Sequence, residues 1–290
     1  MTQFAKEVVA NGLEVPEGPV VLGDGRLAFV QQVLGRVSLY DGERVVTISE
    51  GPGAPNAVTL GSDGHLYAAQ NGGVIGVLRA ERQCTPAIER ISLDGTIQTV
   101  TTVVANVALQ APNDLVFGPD GRLYFTDPAE PFDPERRRAT NRLFALGPEG
   151  GEVMVELGPV YTNGVAFTVD DVLCWVESYE RRVCLLEGGQ RRELCQLPDR
   201  HVPDGLAVAN DGRLFITTVS SHGITVVSPE GEVLEHLYLD DNALPTNCCF
   251  DGSTLWVTDF GVGYDEGRGR GRLWRLETDT VGAPTRQGKL

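Results

Sequence analysis

Apolar and polar residues alternate in short runs along most of the chain, and Asp-Gly or similar turns punctuate the runs at regular places. One stretch, "PNDLVFGPDGRLYFTDP" (112–128), shows the unit: a polar start, an apolar strand, a Gly-Pro-Asp-Gly turn and a second apolar strand. That is the sequence form of a β-hairpin. The unit recurs as "PEGPVVLGDGRLAFV" (16–30), "PNAVTLGSDGHLYAA" (55–69), "TNGVAFTVDDVLCWV" (162–176), "PDGLAVANDGRLFIT" (203–217) and "TNCCFDGSTLWVT" (246–258). Most copies are followed by two further strand-like segments, as in "GRVSLYDGERVVTIS" and "ITVVSPEGEVLEHLYL". The last copy has only a weak fourth segment after "GRLWRLETDT", whereas "FAKEVVA" (4–10) stands unpartnered before the first. Helical periodicity is nearly absent. The pattern predicts an all-β fold: a six-bladed β-propeller with four antiparallel strands per blade, the ring closed by the N-terminal strand, as a single β-propeller domain over 1–290.

In such a ring the first strand of each blade lines a central channel, so equivalent positions converge whatever their separation in sequence. The residues that open the first strands are Glu17, Asn56, Asn113, Asn163, Asp204 and Asn247, all carboxylates or carboxamides. Asn and Asp also cap strand starts by bonding nearby backbone. Glu is a poor cap, however, and a ring of oxygens on an otherwise buried strand calls for a cation. Oxygen donors without His or Cys suit a hard ion, Ca²⁺ before Mg²⁺ or Mn²⁺, with Zn²⁺ or Fe²⁺ as further options and a structural zinc disfavoured. The two carboxylates balance a divalent charge.

Second strands end on the same face, one layer out, and their ends are expected to supply the pocket wall: Gln31, Gln70 and Asn71, Asp127, Glu177 and Tyr179, Ser220 with His222, and Asp259. Asn56, Asn71, Asp127, Glu177, Tyr179, His222 and Asn247 form the expected substrate-binding set. His201 and His222 lie near the Asp204 blade, where either can shuttle protons or serve a plain loop role; His65 and His236 read as surface residues. The longest interval between copies carries an excursion at 71–87, a loop over one face that serves as a lid or as a tolerated insertion.

Composition narrows the partners. The net charge of −16 leaves no basic face for nucleic acid. No apolar run is long enough to span a membrane and the N-terminus has no secretory pattern, so the reading is a cytoplasmic protein, monomer or small homo-oligomer, acting on a small-molecule substrate. Six cysteines without a CxxC read as reduced, mostly buried thiols, with Cys248 and Cys249 on opposite strand faces. Serine-elbow, P-loop and dinucleotide motifs are missing.

At "PEGPV", "PNDLVFGPDGRLYFTD", "TNGVAF", "PDGLAV" and "GRLWRL" the chain resembles the senescence-marker-protein/gluconolactonase/luciferin-regenerating-enzyme family and, more distantly, diisopropylfluorophosphatase. The resemblance spans nearly the whole chain. It implies a six-bladed propeller holding a divalent cation, with metal ligands at Glu17, Asn163 and Asp204, and Asn113 reaching metal or substrate. It further implies a metal-dependent hydrolase, a lactonase in which Asp204, aided by Asn113, activates water or attacks directly. The alternatives are phosphotriester or other ester hydrolysis on the same metal, and a calcium-binding propeller without turnover. Ala111 stands where the sugar-lactone branch carries Arg, so a less polar lactone or ester fits equally well.

Overall fold

The computed structural model describes residues 4–73, 79–262 and 270–290. It forms six four-stranded antiparallel sheets. From the axis outward, the first blade comprises Pro16–Val21, Leu27–Gln31, Arg36–Tyr40 and Val45–Glu50, and the second Pro55–Leu60, Leu66–Gln70, Ala87–Ile91 and Ile97–Thr101. The third holds Leu115–Phe117, Leu123–Asp127, Asn141–Gly147 and Gly150–Leu157; the fourth, Thr162–Phe167, Leu173–Glu177, Arg182–Glu187 and Gln190–Gln196. The fifth holds Pro203–Val208, Leu214–Thr218, Gly223–Val227 and Val233–Tyr238. In the sixth, Pro245–Asp251, Thr254–Asp259 and Gly271–Glu277 are completed by Lys6–Leu13, which pairs antiparallel with Gly271–Glu277. The N-terminal strand thus closes the ring as the sequence predicts.

The hairpins form where the turn chemistry places them. In the third blade Gly121 takes φ +78° and donates its N–H to Gly118, which in turn donates to Arg122. That left-handed residue costs glycine nothing and lets the alternating strands on either side pair without slipping.

The apolar faces meet between blades. Among the described residues six buried clusters fill the six gaps, for example Tyr67 and Ile88 against Phe117, Phe125 and Phe144, or Phe215 and Ile224 against Leu255 and Trp274. Cys248 and Cys249 do point to opposite faces and join different clusters. All six cysteines are free thiols.

At the axis each innermost strand touches both neighbours, leaving little room. The residue after the first-strand polar residue is Gly18, Ala57, Gly164 and Gly205 in four blades. A Cβ on Gly18, at φ +48°, would lie 2.1 Å from the Cα of Ala57, and one on Gly205 would lie 2.2 Å from the Asn247 amide. The lower face is crossed by the C-terminal segment, which the repeat pattern does not predict. Gly282 bridges Ala209, the Gly288 carbonyl accepts from Ser62, and the Arg286 guanidinium reaches the Phe167 and Thr168 carbonyls and Asp171. Among the described residues no helix is long and apolar enough to cross a membrane.

Gly18→Ala should therefore lower the unfolding free energy in urea by at least about 2 kcal/mol, through overpacking and a forced left-handed backbone. Gly23→Ala, where nothing lies within 4 Å of an added Cβ, should change it by no more than about 0.5 kcal/mol.

Candidate metal and substrate site

The upper end of the channel opens into a cavity of about 270 Å³, whose floor carries Glu17, Asn56, Asn113, Asn163 and Asp204. Five of the six first-strand polar residues are thus brought together. Asn247, the sixth, faces the lower channel and bonds the Glu17 and Asp114 carboxyls from beneath. Three of the five are held by hydrogen bonds to the surrounding protein. Glu17 accepts the Gly18 N–H at 2.7 Å, Asn163 donates to Ser178 Oγ, and Ser178 Oγ in turn donates to the Pro203 carbonyl. Asn56 Oδ1 accepts from Gln32.

The electrostatics of this floor are unbalanced. Burial, then the neighbouring negative charge of Asp204, pushes the Glu17 carboxyl well above the usual carboxylate range. Asp204 is pushed up to about 8 by burial and by Asp114. Asp114 itself, fully buried below the ring, rises to about 6 by burial although the Leu115 and Val165 N–H groups and the Asn247 amide bond it. Three carboxyls converge with no basic side chain lining the floor among the described residues. Asn113 Oδ1 is buried there without a hydrogen-bond partner.

No cluster of three or more His, Cys, Asp or Glu is arranged to hold a metal among the described residues. The converging oxygens are instead a mixture of two carboxylates and side-chain amides. That donor set, with one amide oxygen left orphaned, fits a hard divalent cation that takes six to eight oxygens and fills the remainder with water.

The expected pocket wall is displaced by one residue. Gln31, Gln70, Asp127, Glu177 and Asp259, the last residues of their second strands, do not line the cavity. In four of these blades the next residue does, as Gln32, Asn71, Ser178 and Phe260, and in the fifth blade Val219 does so after Thr218; Pro128, after Asp127, does not. Successive strand side chains point to opposite faces, so a slip of one exchanges wall for interior. The strand-ending side chains serve a different purpose, holding the backbone that enters the first strand. Gln31 accepts the Glu14 N–H, Gln70 that of Ala54, Asp127 those of Gln110 and Ala111, and Asp259 that of Leu244. Glu177 is locked by the Trp175 indole N–H and a two-bonded Arg191 guanidinium.

Of the remaining expected residues, Asn71 and Ser220 line the cavity. Tyr179 stands one layer behind, its ring 5.3 Å from Tyr161, which does line it. His222, with a left-handed backbone, does not line the cavity and bonds the Ala243 carbonyl at 2.6 Å. His201 bonds Thr225 and packs 4.7 Å from His236, so neither expected proton shuttle reaches the cavity. His236 is half-buried in that contact, and His65 is half-buried against Asp63 and Arg90, so neither is a free surface residue. Residues 74–78 of the expected lid lie outside the described residues; the flanks fold back, Cys84 donating to the Gly72 carbonyl and Gly53 to that of Arg82. Asp114 and Tyr161 escape the sequence reading. The signal for Asp114 was its place in the register, where four blades carry Gly or Ala.

The family described as SMP-30/Gluconolactonase/LRE-like region matches residues 15–261. The chain is 24% identical to a gluconolactonase from Zymomonas mobilis, over 87% of this chain and 78% of that one. It is 25% identical to regucalcin from Xenopus laevis, over 89% of this chain and 87% of that one. It superposes on the structure of a gluconolactonase from Xanthomonas campestris with a TM-score of 0.74 and 25% identity, covering 95% and 90% of the two chains. With the six-bladed ring and its axial oxygens in place, these matches identify the chain as belonging to the SMP-30/gluconolactonase/LRE-like family.

Proposed function

We propose that this protein is a divalent-metal-dependent lactonase, with Glu17, Asn113, Asn163 and Asp204 holding the cation and Ca²⁺ the first choice. The observation that carries the reading is the uncompensated floor: carboxyls pushed up by burial and then by a neighbouring carboxylate, beside an amide oxygen without a partner. Such an arrangement is costly without a positive charge. The gluconolactonase relatives support the reaction class.

A bound cation supplies a Lewis acid that polarises the lactone carbonyl. The chain's own groups do the rest. Asp204 takes a proton from water as the water oxygen bonds to the carbonyl carbon; the ring C–O bond then breaks and Asp204 returns the proton to the leaving alkoxide, giving a hydroxy acid. Asn113 orients the substrate, and the Ser178 hydrogen bond sets the Asn163 amide. Asn247 bonds both Glu17 and Asp114 from below, offsetting part of the repulsion that Asp114 exerts on Glu17. The second reading, a calcium-binding propeller without turnover, draws on the regucalcin relative and uses the same floor.

Hydrolysis of a lactone panel with and without chelator separates the two readings, since loss of all turnover on chelation belongs only to the first. Asp204→Asn should lower kcat about 10³-fold while retaining part of the metal affinity, measured by calorimetry; full activity in that variant removes Asp204 from its role. In metal-free protein the folded Asp204 holds its proton up to about pH 8, whereas the unfolded carboxyl releases it near pH 4. The folded state therefore binds more protons across that window, and its stability falls as pH rises through it. The melting temperature of chelated protein should drop between pH 5 and pH 8, and saturating Ca²⁺ should abolish the drop.

A further inference from the structure

One layer above the oxygen floor lies a second ring, set by register. Two residues before each first-strand polar residue stand Val15, Ala54, Ala111, Tyr161, Val202 and Pro245, apolar or aromatic in all six blades. Val15, Tyr161 and Val202 line the cavity directly, joined by Val219, Leu244 and Phe260. Val15 and Tyr161 hold φ values of +52° and +56°. Left-handed backbone is rare for aromatic residues and a marked outlier for a β-branched one, so packing here holds two apolar side chains in place against their own preference.

A third element reinforces them. The connection between Leu123–Asp127 and Asn141–Gly147 carries Phe132 to the rim, where it is 43% exposed yet packs 5.1 Å from both Tyr161 and Tyr179. The connection is pinned by its own bonds. The Tyr179 hydroxyl accepts the Asp133 N–H, and Glu130 accepts those of Arg138 and Ala139. The wall's polar groups are largely committed to protein partners: Gln32 donates to Asn56, Asn71 accepts the Gly73 N–H, and Ser178 is bonded on both sides. Among the described lining residues no Lys, Arg or His is present, and the only charges belong to Glu17 and Asp204 on the floor.

We infer that the site takes a neutral lactone bearing an alkyl or aryl substituent, which lies in the apolar collar against Tyr161 and Phe132, and that it discriminates against polyhydroxylated lactones. The inference rests on the lactonase reading for the reaction but on the collar alone for the substituent. A sugar lactone entering here exchanges hydroxyl–water bonds for Val, Tyr, Leu and Phe surfaces and loses them, whereas each methylene buried in the collar gains.

The test uses the metal-loaded protein and two matched series: γ-lactones with side chains from methyl to hexyl, with δ-gluconolactone alongside, and the corresponding γ-alkyl lactams, whose amide is not turned over. The kcat/KM of the lactones and the affinity of the lactams should each rise about fourfold per methylene until the collar is filled, with δ-gluconolactone at or below the methyl lactone. Phe132→Ala should flatten both slopes. Lactone turnover with δ-gluconolactone preferred, or with no dependence on chain length, overturns the collar inference and leaves the lactonase reading intact. Lactam affinity rising with chain length while no lactone is hydrolysed sinks the lactonase reading and keeps the collar. Absence of both binding and turnover overturns the two together.

Discussion

Six innermost strands meeting at one axis can do so only if something very small lies between them. Gly18, Ala57, Gly164 and Gly205 meet that condition, and added Cβ atoms on Gly18 and Gly205 would sit 2.1 to 2.2 Å from neighbouring atoms. The same crowding creates the chemistry. Strands packed that closely bury the side chains one position earlier, so Glu17, Asn113 and Asp204 are desolvated together because the blades pack, and the two carboxyls are pushed above their usual range. Close packing of the strands and burial of the oxygen floor are two results of one steric fact. A ring of larger residues would have held the strands apart and left these groups wet.

Much of this was legible in the chain. A repeat of one hairpin gives the blade count, the unpartnered N-terminal segment gives the closure, and register brings five of six polar starts into one cavity. Register was also where reading failed, because a strand end located only to within one residue leaves its facing undecided. Asp127 and Glu177 look like pocket residues by type, yet hydrogen bonds to backbone amides and to Arg191 consume them. Asp114 was hidden by its neighbour. Beside Asn113 it reads as part of the same polar start, and only the comparison with glycines in other blades shows that it fills a gap and ties the third blade to the fourth through the Val165 N–H. The aromatic group joins Tyr161, whose position recurs in register, to Phe132 and Tyr179 from separate connections that leave no periodic trace.

The two layers of the site have unlike origins. The floor is built from side chains on regular strands, where geometry is set by the sheet. The collar depends on left-handed residues and on one pinned connection, features that can change without disturbing the blades. Such a division lets the collar vary within a family while the oxygen floor persists.

The strand that closes the ring also orders the events of synthesis. Lys6–Leu13 is made well before its partner and can pair only when Gly271–Glu277 has left the ribosome, so five blades can stack while it waits unpaired. Sealing therefore waits on the sixth blade, and the crossing of the lower face by residues beyond Glu277 ties that part of the chain to blades far earlier in sequence.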